Sequence, residues 1–138
     1  MQSTLVDAGP LIALFDKSDS HHEKAISFLK RTQGHLITTW PVIAEVSHML
    51  DFSTKTQINF LKWINRGGLQ IFELEIQHVI RLIELSEKFS DVPMDLADAT
   101  LIVTSEAKGI TKIATIDSDF YIYRDVRNKY LKNVFITQ

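Results

Sequence analysis

Residues 5–15, Leu-Val-Asp-Ala-Gly-Pro-Leu-Ile-Ala-Leu-Phe, constrain the fold more than any other stretch. A short apolar run begins at Leu5, Asp7 closes it, Gly9-Pro10 makes a turn, and the apolar pattern resumes as a helix from Leu11 to Phe15. Strand, carboxylate, turn and helix in that order open a crossover unit. In an open parallel sheet, ligands collect at the carboxyl ends of the strands. An aspartate there has two ordinary roles: it caps the following helix through its side-chain oxygen, or it faces the cleft and binds. The segment alone does not separate them.

The same alternation continues downstream. Residues 35–39, 69–72, 111–116 and 134–136 read as further short strands. A helix is expected from Ser20, with Glu23 completing a capping box and Gly34 as its stop. His21 and His22 read as solvent-facing residues of its first turn. Pro41 suits the first turn of a helix to Leu50, with Val42, Ile43, Val46, Met49 and Leu50 as the buried stripe. Thr54 and Gln57 resemble a second capping box, and Gly67-Gly68 ends that helix. Residues 76–89 repeat apolar side chains at 76, 79, 80 and 83, with 82 as a further candidate, which assigns that stripe to the core. The helix after Asp95 is apolar over most of its circumference and stops at Gly109. Strands alternating with helices predict an α/β fold: a parallel sheet of about five strands, covered on both faces and joined by right-handed crossovers.

A chain of 138 residues with 45% apolar and 23% charged side chains fits one domain, 1–138, with a single core. It has no cysteine, which excludes disulfides, thiolate metal sites and cysteine nucleophiles. No window approaches the roughly 20 apolar residues of a membrane span. The N-terminus lacks the basic flank and apolar run of a signal peptide, so a cytoplasmic protein is expected. A net charge of −2 does not advertise nucleic-acid binding. Such binding needs a local basic patch, or cations that offset clustered carboxylates. Residues 121–132 mix basic and aromatic side chains and supply Arg124, Arg127 and Lys129 for the first.

Four carboxylates have placements that call for the second. Asp7 and Asp117 each follow a predicted strand. Glu45 falls beside the apolar stripe of its helix, and Asp98 projects between Leu101 and Ile102, toward protein. Asp95 reads as the N-cap of the helix carrying Asp98. Four acids far apart in sequence thus converge on one rim. Like charges raise one another's pKa and destabilise a site unless cations enter. Oxygen-only ligands favour Mg²⁺ or Mn²⁺ over zinc. The chemistry this suits is metal-assisted phosphodiester hydrolysis, with one cation on the attacking water and a second, roughly 4 Å away, on the leaving oxygen.

Residues 6–11, 41–46, 95–99 and 114–120 resemble, in order and near the usual spacing, the four signature segments of PIN-domain ribonucleases. The likeness is to the VapC-type toxins of toxin–antitoxin modules, and it spans essentially the whole chain. The resemblance implies a three-layer α/β/α sandwich and a Mg²⁺- or Mn²⁺-dependent endoribonuclease site of one or two ions. Asp7 and Asp98 would be central ligands, Glu45 would bind or orient metal and water, and Asp117 would complete the quartet. Thr115 matches a position that supports Asp117, and Asp119 matches an accessory acid. It further implies an RNA substrate, a homodimer, and a small antitoxin whose C-terminal tail covers the site. Two rivals are weaker. A haloacid-dehalogenase-like phosphatase needs a second aspartate where Gly9 stands, and no P-loop or G-x-G-x-x-G follows the first strand. A non-catalytic RNA-binding or partner-binding module would make its contacts through residues 121–132 instead.

Overall fold

The computed structural model describes residues 2–92, 94–117, 120, 123 and 131–135. Five strands form one sheet: β1 (Ser3–Val6), β2 (His35–Thr38), β3 (Gln70–Ile71), β4 (Lys112–Ala114) and β5 (Lys132–Asn133). Their order is β3-β2-β1-β4-β5, and every pairing is parallel. Among the described residues six α-helices connect them: α1 (Ala8–Phe15), α2 (His22–Arg31), α3 (Trp40–Met49), α4 (Thr54–Asn65), α5 (Val79–Lys88) and α6 (Leu96–Lys108). Neighbouring residues of a strand point to opposite faces, and Thr4, Leu5 and Val6 are all buried, as are Leu36, Ile37 and Thr38. Both faces of the sheet are therefore covered, which gives the three layers a parallel sheet requires. Strand β5 lies two residues before the predicted run at 134–136. Val134 still donates to Ile113 O at 2.8 Å, and Ile136 is outside the described residues.

Helix α1 starts directly after Asp7, so Gly9-Pro10 belong to its first turn and do not precede it. Proline is tolerated there because its missing N–H has no helical partner in any case. Gly9 has a packing reason: a Cβ would come within 3.1 Å of the Ile116 side chain. Neither expected capping box forms. Helix α2 opens at His22, while the Asp19 carboxylate accepts from His21 N at 2.8 Å, and His22 Nδ1 contacts Ala13 O at 2.7 Å. Ser53, one residue earlier than Thr54, caps α4, and the Gln57 amide reaches Ser47 O instead.

Helix α5 corrects a core assignment. Ile76, Val79, Ile80 and Ile83 are exposed, as is Met49 on α3. The side chains that face inward are half-buried Leu82 and fully buried Leu85, followed by Phe89. The helix carries two apolar stripes roughly opposite one another, and periodicity cannot choose between them. A bidentate pair chooses: Arg81 Nε and Nη2 donate to Glu106 Oε1 and Oε2 at 2.9 and 2.8 Å, turning the 81/82/85 face toward α6.

Helix α6 is the most buried of the helices, with Ala97 to Ser105 all buried. Its first turn is tied to the sheet by a pair of buried hydroxyls. Thr100 Oγ1 donates to Ala97 O at 2.6 Å, so Thr39 Oγ1, 2.7 Å away at the end of β2, donates to Thr100. Thr39 is consequently engaged with α6 and does not cap its own helix α3.

Candidate active site

Register brings the first two acids' surroundings together. Val6 pairs with Ala114, and the ladder runs one step further, with Asp7 N donating to Ala114 O at 2.9 Å. Asp7 thus stands beside Thr115, whose hydroxyl donates to Asp7 Oδ2 at 2.9 Å. The same Thr115 oxygen accepts from Asp117 N at 2.9 Å. One threonine hydroxyl therefore touches both Asp7 and the backbone of Asp117. The other oxygen, Asp7 Oδ1, accepts from Ala8 N at 2.8 Å. Helix cap and cleft-facing carboxylate are therefore one residue, since a carboxylate has about four acceptor directions and these contacts use two.

Asp98 arrives from α6. Asp95, the N-cap, accepts from Asp98 N through Oδ1 at 2.8 Å and fixes the backbone there. Asp98 itself is 6% exposed and Asp7 is 7% exposed. One carboxylate oxygen from each of Asp7, Asp98 and Asp117 falls within 4.8 Å of the others. Glu45 is outside that group: it is exposed on α3, near enough to repel Asp7. Asp119, Arg124, Arg127 and Lys129 lie outside the described residues.

Two supports could not be anticipated from the sequence. Asn133 on β5 is buried, and its side chain links the residue after β4 to its own segment: Nδ2 donates to Thr115 O at 3.0 Å, while Oδ1 accepts from Phe135 N at 3.0 Å. The Tyr123 hydroxyl, wholly buried, lies 3.4 Å from Asp98 Oδ2. A buried asparagine at a strand end and a tyrosine in an aromatic run are the sole sequence signals, and neither names its partner.

Electrostatics set the chemistry. Asp7 is pushed up to about 6, first by burial, against the lowering hydrogen bonds from Ala8 and Thr115, and then by repulsion from Glu45 and Asp117. Asp98 is raised well above the carboxylate range by burial, then by Asp7, Asp95 and Asp117, with the Tyr123 hydroxyl pulling the other way. Glu45 is raised by partial burial and by Asp95 and Asp117. A divalent cation removes this conflict. Oxygens bound to one Mg²⁺- or Ca²⁺-sized ion, with bonds of about 2.0–2.6 Å, stand at most about 4–5 Å apart, and one oxygen from each of the three aspartates lies within 4.8 Å of the others. The donor set is oxygen only and fits a hard cation. A polar cavity of about 280 Å³ lined by Gln2, Lys108 and Lys112 sits elsewhere, at the start of β1 and β4, and carries no acid.

The fold and this rim define an α/β protein with a candidate divalent-metal centre. The PIN domain family model matches residues 4–126, and the chain belongs to that family. No curated protein sequence matches it. Its structure is similar to that of VapC20 from Mycobacterium tuberculosis, described as a sarcin–ricin-loop-cleaving toxin, with 17% identity and a TM-score of 0.80. That match covers 86% of this chain and 93% of the other. It is also similar to VapBC2 from Rickettsia felis, solved bound to a DNA fragment from its promoter: 15% identity, TM-score 0.65, covering 96% of this chain and 98% of that one. At such identities the likeness is one of fold.

The raised acids make a pH prediction for metal-free protein. Asp7 holds its proton to about 6 when folded, against an ordinary 3.8. Between those values the folded state binds more protons than the unfolded one, so stability falls as pH rises, by at most about 1.4 kcal/mol per pH unit for each such acid. Asp98 extends the loss to higher pH. In chelator, the melting temperature should fall between about pH 5 and about pH 8, and excess Mn²⁺ should flatten the fall. A melting temperature that rises over this window in chelator would contradict the shared burial of these acids.

Proposed function

We propose that this chain is a metal-dependent endoribonuclease of the VapC type. The observation that carries the reading is the trio Asp7, Asp98 and Asp117, gathered within 4.8 Å on the rim of a PIN-family sheet. These three hold Mg²⁺ or Mn²⁺, as one or two ions. The bound cation supplies positive charge that makes a water more acidic and offsets charge developing on the phosphate. Glu45, exposed beside the trio, orients the attacking water and receives its proton. The water oxygen joins phosphorus, and the bond from phosphorus to the leaving ribose oxygen breaks. Thr115 keeps Asp7 turned to the cleft, and Asp95 anchors the backbone of Asp98. Asp119 is assigned an accessory place, and Arg124, Arg127 and Lys129 are assigned to phosphate contact.

The acidic rim repels phosphate at long range, which favours slow, ion-dependent cutting of a structured RNA over broad degradation. Incubating the purified protein with total cellular RNA and Mn²⁺, then mapping new 5′ ends, tests the reaction. We expect discrete cleavage sites that vanish in excess chelator. Asp98→Asn should cut at least about a hundredfold more slowly, beyond the 10–100-fold typical of losing an outer support. Cleavage that persists in chelator contradicts the mechanism.

We further propose that the chain pairs as a homodimer and is held by a small antitoxin, consistent with its likeness to a VapBC assembly. Ile76, Val79, Ile80 and Ile83 make a contiguous apolar stripe on and before α5, more than isolated surface residues explain, and we assign the dimer contact to it. Among the described residues no helix is long and apolar enough to cross a membrane, and we assign the protein to the cytoplasm. Light scattering on an eluting peak should give twice the chain mass, and Ile80→Lys combined with Ile83→Lys should give the single mass. A wild-type monomer would dismiss the pairing.

A further inference from the structure

We propose that Tyr123 is a positioning residue for the metal site: its buried hydroxyl takes one oxygen of Asp98, so that the other is the one presented to the cation. The inference rests on the metal-dependent reading above and assigns a side chain that lies 25 residues from the acid it serves.

The geometry begins with the ring. Tyr123 is wholly buried, and its ring meets Phe120 and Phe89 edge-on, with centroids 5.2 and 5.3 Å apart and planes at 80° and 66°. Phe89 follows α5, and Phe120 N returns to Asp117 O at 3.4 Å, so the same aromatic group is braced from the helix layer and from the turn that carries the third acid. Those edge contacts need only a ring. The hydroxyl is the part that packing does not require, and it is directed at Asp98 Oδ2, 3.4 Å away. That separation is longer than a strong O–H···O bond, so its effect is to bias the orientation of the carboxylate.

The two most buried acids of the site are then held alike. Asp7 has its backbone in the sheet ladder and one oxygen on the Thr115 hydroxyl. Asp98 has its backbone N–H on Asp95 and one oxygen beside the Tyr123 hydroxyl. Each has a hydroxyl beside Oδ2, at 2.9 Å for Asp7 and 3.4 Å for Asp98, and Asp7 Oδ1 keeps a further acceptor direction beyond Ala8 N. Groups that orient ligand side chains in this way ordinarily change metal affinity or activity 10–100-fold when removed.

The test is Tyr123→Phe, which keeps the ring between Phe89 and Phe120. Calorimetric titration with Mn²⁺ alone should give a dissociation constant weakened about tenfold or more, with the melting temperature in chelator little changed. On RNA, kcat should fall while KM holds, because the substrate makes no contact with a wholly buried side chain. Wild-type Mn²⁺ affinity in the variant overturns this inference and leaves the nuclease reading intact. A variant that is unfolded in chelator also overturns it, since the role is then structural. Wild-type protein that binds no Mn²⁺ overturns both.

Discussion

Burial of Asp7 and Asp98 side by side is the constraint on which the rest of this structure depends. A carboxylate withdrawn from water costs free energy in its charged form, and a second one nearby adds repulsion. Apolar packing elsewhere in the core offsets this cost. The raised pKa values of Asp7 and Asp98 are that stored conflict expressed as proton affinity. A hard divalent cation would relieve this conflict, and a set of carboxylate oxygens suits one.

Holding such a site open requires supports that do not neutralise it. The structure uses hydroxyls and backbone groups where a cation would have quenched the acids. Thr115 touches Asp7 and Asp117 at once, and its own backbone is held by the Asn133 side chain. Thr39, the residue after β2, and Thr100 join the amino-terminal half of α6, which carries Asp98, to the sheet. Parallel register does the remainder. Once Val6 pairs with Ala114, Asp7 and Thr115 have no choice but to be neighbours. Strand order gathers the trio: the adjacent strands β1 and β4 lead into Asp7 and Asp117, and the helix layer supplies Asp98.

The acids and strands could be read from the chain because both signals are local. A short apolar run closed by an aspartate marks the end of a parallel strand, and this occurs twice, at Asp7 and Asp117. Asp98 was legible from helical angle, which turned it toward Leu101 and Ile102 and so inward. The residues that were not legible are those whose partners are distant. Thr39 and Thr100 are 61 positions apart, and Asn133 is 18 from Thr115. The inward face of α5 was misassigned because two apolar stripes compete and the choice is made by Arg81 reaching Glu106, 25 residues on. Two helix starts differ for local reasons: Ser53 and not Thr54 accepts at the start of α4, and α2 opens at His22 with no side-chain cap. Glu45 shows a finer limit: periodicity put it at the edge of a buried stripe, and the structure leaves it exposed beside the trio.

The claim that three aspartates form one cation site is tested most directly by anomalous scattering from crystals of the protein grown with Mn²⁺. A manganese peak bonded to oxygens of Asp7, Asp98 and Asp117 is expected, with metal–oxygen distances of about 2.0–2.3 Å for a small hard cation. Crystals at saturating Mn²⁺ with no peak among those side chains, or with the peak held by other residues, would contradict it.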